Sequence, residues 1–311
     1  MARFIKMILQ PKQLSILLLL FFFTQSQAQT PSPVQHLFPE GTLTYPNLPY
    51  AGDTLRKHLL DIYVPPHAKA NTPLVVWVHG GAWMLNDKYA DMGYMKATVK
   101  GFLDSGYALA SIDYRWSTTT PFPAQIQDCN QALEYLYEHA AQYKLDKNRI
   151  ALIGFSAGGH LASLLALSHN NKVTAFYPAG VTPNFTIKCV LDFYGPADLL
   201  AASMSTDTAT NNNRSPIAVL LGALPVDRPD IAKQASPVTY VDKGDPPFFI
   251  VQGEKDESVA NTQSKLLHAW LSRVGVSNEL IIVPNAPHYG EMFDADWIRQ
   301  QLFRFLALHM K

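Results

Sequence analysis

Residues 149–163 read Arg149-Ile-Ala-Leu-Ile-Gly154-Phe-Ser156-Ala-Gly158-Gly-His160-Leu-Ala-Ser163. An apolar run is followed by a turn of small residues with one serine at its apex. Small and apolar residues at helical spacing, with no proline, then continue to residue 167. The pattern predicts a buried strand over 150–153, a tight turn and a helix from Ala157. Strand, GxSxG turn and helix in that order form an elbow that lifts a serine hydroxyl into the open. The serine backbone there is strained, and the flanking glycines, Gly154 and Gly158, have no side chain to collide.

A second signature lies upstream. Leu74-Val-Val-Trp-Val-His79-Gly80-Gly81-Ala82-Trp83 is another apolar run, ending in a glycine-rich loop. Glycine lets the main chain approach an acyl oxygen closely, so Gly80 and Gly81 are expected to supply N–H groups to an oxyanion hole, with the Ala157 N–H as the other donor. One such donor is worth about 3 kcal/mol of transition-state stabilisation. His79 reads as a structural hydrogen-bonder at the strand end, and His160, four residues beyond the serine, as a structural residue of the following helix.

A serine needs a base, and the base needs an orienting carboxylate. After an elbow of this kind the acid follows a late strand and the histidine the last one. Pro247-Phe-Phe-Ile-Val-Gln-Gly-Glu-Lys-Asp256 is an apolar strand and turn carrying Asp256; Glu279-Leu-Ile-Ile-Val-Pro-Asn-Ala-Pro-His288 is a strand and loop carrying His288. In these roles Ser156 attacks, His288 takes and returns the proton, and Asp256 fixes the imidazole tautomer. Glu254 and Glu257 flank the acid and compete with it. Asp192 and Asp198, after an earlier strand, read as turn and helix-cap residues.

Together His79-Gly-Gly-Ala-Trp83, Asp113-Tyr-Arg115, Gly154-Phe-Ser-Ala-Gly-Gly-His160, Asp192-Phe-Tyr-Gly195, Ser236-Pro-Val-Thr-Tyr240, Gly253-Glu-Lys-Asp256 and Pro287-His-Tyr-Gly290 resemble the bacterial esterase/lipase branch of α/β-hydrolases. Within it the chain is most similar to the bifunctional feruloyl and acetyl-xylan esterase group of polysaccharide-degrading bacteria. The likeness spans roughly residues 50–310. Two departures stand out: Ala82 follows Gly80-Gly81 where a third glycine is frequent, and Pro287 precedes His288 where glycine is common. The resemblance implies ester hydrolysis without metal or cofactor, and no cluster of His, Cys, Asp and Glu has metal-ligand spacing.

Apolar strand runs near 59–64, 74–78, 107–112, 150–153, 188–193, 248–252 and 280–283 alternate with helical segments. Near-continuous apolar strands separated by helices predict an α/β fold, a mostly parallel central sheet with helices on both faces. Residues 51–311 are expected to form this catalytic domain, preceded by an extended leader over 29–50. The alternation breaks over 201–234, which reads either as a small lid insertion or as a plain surface excursion.

Arg3, Lys6 and Lys12 precede an apolar stretch over 14–23 and then Thr24-Gln-Ser-Gln-Ala28, the pattern of a signal peptide cut after Ala28. Ten apolar residues are well short of the roughly 20 that span a bilayer, so no membrane span is expected in the mature form, and the expected location is periplasmic or extracellular. Removing residues 1–28 changes 25 basic against 25 acidic residues to 22 against 25, a balance with no footprint for nucleic acid. An oxidising compartment permits a disulfide between Cys129 and Cys189, but they read here as two buried free thiols.

A hydroxyl, imidazole and carboxylate beside an oxyanion hole define acyl transfer to water without choosing the acid or the alcohol. Trp83 is the candidate substrate-binding residue, a stacking wall for a sugar or aromatic acyl group, with Tyr289 and Phe155 near it. Export and family likeness point to acetyl or hydroxycinnamoyl esters of plant polysaccharide. The alternatives are a general short-chain carboxylesterase, a formamidase-like amide hydrolase and an inactive binding module.

Overall fold

Alternate side chains of the central strands enter two different apolar layers. In β3 (Thr72–Val78), Leu74, Val76 and Val78 face one layer while Val75 and Trp77 face the other. In β5 (Leu145–Phe155), Ile150 and Leu152 oppose Ala151, Ile153 and Phe155 in the same way. A strand with period-2 side chains and no polar face must be covered twice, which is why these runs are nearly continuous in Val, Ile, Leu and Phe.

The structure is a computed structural model that describes residues 32–178, 183–205 and 212–311. The expected signal peptide, residues 1–28, lies outside the described residues. The remaining strands are β1 (Leu43–Pro49), β2 (Leu59–Val64), β4 (Ala108–Ile112), β6 (Ile187–Phe193), β7 (Phe248–Gly253) and β8 (Asn278–Val283). They form one sheet in the order β1-β2-β4-β3-β5-β6-β7-β8. β2 pairs antiparallel with both β1 and β4, and all other pairs are parallel. Strand β2 therefore runs against the other seven.

Helices α1 (Lys96–Asp104) and α8 (Asp296–His309) cover one face, through Val99, Phe102, Leu103, Ile298, Leu302, Phe305 and Leu306. Helices α2 (Ala124–Glu138), α3 (Ala157–His169) and α7 (Thr262–Val274) cover the other. The chain leaves β3 toward α1 and leaves β5 toward α3, so adjacent strands feed helices on opposite faces. That reversal opens a crevice at the carboxyl ends of β3 and β5, where open α/β sheets bind ligands.

The sheet begins inside the stretch read as a leader, because residues 43–49 form its edge strand β1. Pro46 and Pro49 lack the N–H that a central strand would need, and an edge position tolerates this. The stretch 201–234 holds the end of α4 (Leu199–Ser205), together with α5 (Pro216–Leu221) and α6 (Pro229–Gln234). Helix α5 has Ser215 as its N-cap, with its side chain accepting from the Ala218 N–H, and ends at Gly222 in the left-handed region. Cys129 and Cys189 are both buried and free. Among the described residues no helix is long and apolar enough to cross a membrane.

Candidate active site

Ser156 sits between β5 and α3 with φ 51° and ψ −116°. Its N–H donates to the Phe193 carbonyl (2.8 Å), which ties the turn to the end of β6. Both flanking glycines are required by contact. A Cβ on Gly154 would lie 2.2 Å from the Gly158 carbonyl oxygen, and one on Gly158 would lie 2.0 Å from that of Val78. The first turn of α3 is thus pressed against the end of β3, bringing the serine beside the glycine-rich loop.

Two further loops close on the serine. The His288 Nε2 lies 2.8 Å from Ser156 Oγ, and its Nδ1 lies 2.7 Å from Asp256 Oδ2. An ionised carboxylate only accepts, so Nδ1 carries the proton and Nε2 is left to accept from the serine hydroxyl. The Asp256 side chain is 0% exposed and that of His288 16%. Asp256 Oδ1 accepts from the Ser258 and Val259 N–H groups, both at 2.9 Å. The acid and base loops are laced together by Lys255 N–H to the Ala286 carbonyl (2.9 Å). Gly253 permits this closure, since a Cβ there would lie 2.3 Å from the Pro287 carbonyl oxygen. Pro287 is accommodated without breaking the contact between His288 and its partners. Such a relay can draw the proton from Ser156 as its oxygen bonds to an electrophile.

One residue of this set escaped the sequence reading. Gln252, near the end of β7, donates through Nε2 to Asp256 Oδ2 (2.7 Å) and to the Val259 carbonyl (3.2 Å). Its Oε1 accepts from the Ser264 hydroxyl at 2.7 Å. The signal was present as a lone amide in an otherwise apolar buried strand, where a polar group needs a partner.

The other carboxylates lie elsewhere. Glu254 Oε2 accepts from the Asn285 N–H (2.9 Å), and Glu257 lines the cleft mouth. Asp192 accepts from Ser163 Oγ (2.8 Å) and the Gly195 N–H (2.9 Å) beneath α3, where burial pushes its carboxyl up to about 6. Asp198 accepts from the Ala201 N–H (2.9 Å) at the start of α4.

The loop expected to supply oxyanion donors departs from expectation at Gly80. The Gly80 N–H is directed at Asp91 Oδ2, 2.7 Å away, so it is not free to serve an acyl oxygen. Its carbonyl accepts from His79 Nδ1 (2.7 Å). In a trans peptide the C=O and the next N–H point oppositely; holding the Gly80 carbonyl on one side therefore turns the Gly81 N–H to the other. Among the described residues no acceptor takes the Gly81 or Ala82 N–H. The Ala157 N–H, first in α3, is one of those a helix leaves without an internal partner. Gly81, Ala82 and Ala157 are thus the available donors. Ala82 adopts φ 53° without being glycine, so the absent third glycine does not prevent the turn. Burial pushes the His79 imidazole down to about 3.

A cleft of about 1140 Å³ opens over these groups, lined by Gly80 and Gly81, Trp83, Tyr94, Ser156, Tyr194, His288 and Tyr289 among others. Ala202, Ser203, Ser215, Pro216 and Ile217 complete one wall, so the stretch that breaks the strand-helix alternation borders the site. Trp83 reaches the cleft but is only 4% exposed, and its indole N–H donates to His160 Nδ1 (3.1 Å). His160 Nε2 in turn donates to the Ala235 carbonyl (2.8 Å), and burial pushes the ring down to about 4. Phe155 packs in the core against Trp77 and Phe193 rather than in the cleft. Tyr289 is 64% exposed at the cleft rim.

One reversed strand in an eight-stranded sheet, with a serine elbow after β5 and acid and base loops after β7 and β8, defines an α/β-hydrolase. The chain belongs to the BD-FAE family, whose model matches residues 60–271. Esterase LipQ of Mycobacterium tuberculosis is 32% identical over 249 residues, which are 78% of this chain and 56% of that protein. The chain spans a little over half the length of such curated relatives. Among solved structures, a truncated carbohydrate esterase from gut microbiota superposes with TM-score 0.80 at 30% identity, covering 88% of this chain and 98% of that one. A bifunctional GH43-CE protein of Bacteroides eggerthii superposes with TM-score 0.78 at 33% identity, covering 86% of this chain and 35% of that one.

Proposed function

We propose that this chain is a serine carboxylic-ester hydrolase that removes acetyl or hydroxycinnamoyl groups from plant polysaccharide after export. The observation that carries the reading is the unbroken contact from Asp256 through His288 to a serine hydroxyl facing the cleft. Ser156 Oγ attacks the ester carbonyl while His288 Nε2 takes its proton. The oxyanion develops toward the Gly81, Ala82 and Ala157 N–H groups, which stabilise charge absent from the ground state. His288 then protonates the leaving alcohol. Water, deprotonated by the same nitrogen, attacks the acyl-enzyme, and collapse of that second tetrahedral species returns the proton to Ser156 and releases the acid. Asp256 remains ionised throughout, and Gln252 holds the carboxylate in place.

The carbohydrate-directed part rests on family membership and on the carbohydrate esterases among the structural relatives. The export signal read in residues 1–28 supports a substrate outside the cytoplasm. The test is a panel of acetylated xylan, methyl ferulate and p-nitrophenyl esters of rising chain length, run with the purified chain and with Ser156→Ala. Release of acetate or ferulate by the wild type alone is expected. Activity confined to the p-nitrophenyl esters would leave a general short-chain carboxylesterase, and no Ser156-dependent activity on any ester would remove the hydrolase reading.

A further inference from the structure

We infer that Asp91 is a positioning residue, which holds the oxyanion loop at its working distance from the serine and histidine through a chain of hydrogen bonds across Tyr94 and Tyr194. The inference rests on the ester-hydrolase reading above and assigns a role to a carboxylate which that mechanism leaves unused.

Asp91 Oδ2 accepts the Gly80 N–H at 2.7 Å, and its Oδ1 accepts the Tyr94 hydroxyl at 2.5 Å. The Tyr94 hydroxyl has one hydrogen and gives it to the carboxylate, so its contact with the Tyr194 hydroxyl (2.9 Å) has Tyr194 as donor. The chain of donors therefore converges on Asp91. Its far end is anchored in the machinery. Tyr194 follows the Phe193 whose carbonyl holds the Ser156 N–H, its own N–H donates to the Val251 carbonyl (2.8 Å), and its ring lies 4.9 Å from that of His288. Three hydrogen bonds thus join the loop after β3 to the floor under the base.

The near end leaves little freedom. A Cβ on Gly80 would lie 2.9 Å from the Phe155 carbonyl oxygen and 3.4 Å from Asp91 Oδ2, so the loop is held against the elbow on one side and against the carboxylate on the other. With the Gly80 N–H turned to Asp91 and its carbonyl to His79, both peptide planes leading to the Gly81 N–H are set. An oxyanion donor must sit within a few tenths of an ångström of its target to act, and misplacement by about 1 Å can cost 100-fold in rate. Burial pushes the Asp91 carboxyl up, so a carboxylate is a costly group to keep at this position. Packing alone could be served by an apolar side chain of similar size.

The experiment compares Asp91→Ala, Asp91→Asn, Tyr94→Phe and Ser156→Ala on p-nitrophenyl acetate, together with inhibition by a trifluoromethyl ketone, which forms a tetrahedral oxyanion on the serine. Asp91→Ala is expected to lower kcat about 10- to 100-fold with KM within about two-fold, and to weaken the ketone by the same factor. Asp91→Asn is expected to recover kcat to within about three-fold, because its amide oxygen still accepts from Gly80 and its amide N–H can donate to Tyr94. Tyr94→Phe, which keeps the carboxylate, is expected to fall between the two and carries the test if Asp91→Ala does not fold. Wild-type kcat in both Asp91→Ala and Tyr94→Phe, or a lowered kcat with undiminished ketone affinity, overturns the inference while leaving the hydrolase reading intact. Undiminished hydrolysis by Ser156→Ala overturns that reading and the inference with it.

Discussion

The two halves of the site are built from different materials. On the side of β7 and β8 the candidate groups are side chains: one carboxylate and one imidazole, each in the loop after a strand, laced by loop hydrogen bonds. On the side of β3 the candidate groups are backbone N–H donors, whose direction is set by the side chains of His79 and Asp91. A side chain at a strand end announces its chemistry by its type. A backbone donor announces nothing, because every residue but proline has one and only the neighbours decide where it points.

The largest test of the side-chain half is Ser156→Ala, for which kcat is expected to fall about 10⁴-fold or more with no loss of thermal stability. An unchanged melting temperature with residual hydrolysis at the background rate is the expected pair of readings. Next, Asp256→Asn is expected to lower kcat by about 10⁴-fold, since an amide partner favours the wrong imidazole tautomer. Glu254→Gln and Glu257→Gln are expected to stay within about three-fold; a comparable loss at Glu257 would reassign the acid.

Smaller effects separate the acid from its support. Gln252→Leu removes the amide that holds Asp256 Oδ2 and leaves the Ser264 hydroxyl without its acceptor. A fall in kcat of about ten-fold is expected, with a stability cost of about 1–3 kcal/mol by denaturant unfolding. Loss of stability with kcat intact would confine Gln252 to the fold.

The smallest expected effect concerns Trp83 in the cleft lining and its partner His160. His160 accepts the Trp83 indole N–H only when Nδ1 is unprotonated, and its folded-state value is pushed down to about 4. The unfolded ring titrates at about 6.5, so the unfolded chain binds the proton more readily between those values. The stability drawn from neutral His160 is therefore full above about pH 6.5 and is lost as pH falls toward 4. His160→Gln is expected to lower the melting temperature at pH 7.5, and the gap to the wild type is expected to narrow at pH 5. A gap independent of pH would show that the ring contributes only its shape.

Much of this was legible beforehand because burial on both faces leaves a strong imprint. β3 and β7 and the second half of β5 are nearly continuous apolar runs, so they could be read from the sequence, whereas β5 begins at Leu145, five residues before the expected start, because Asp146 to Arg149 carry no apolar pattern. β1 escaped because an edge strand is apolar on neither face continuously, and its two prolines argue for a loop. Ser156, Asp256 and His288 were singled out because each follows an apolar strand run, and the structure brings the three into contact. Gln252 was hidden as a single amide, and Asp91, Tyr94 and Tyr194 were hidden because residues 94 and 194 meet only after β3 and β6 lie in one sheet.

Local pattern and residue type are enough to show the apolar strand runs, the tight elbow and the side chains that follow the strands. Folding in three dimensions is what turns the Gly80 N–H toward Asp91, binds Trp83 to His160 and sets Gln252 against Asp256. Each of these depends on the direction of a hydrogen bond between segments far apart in the chain, and direction is a property of packed geometry that no local pattern encodes.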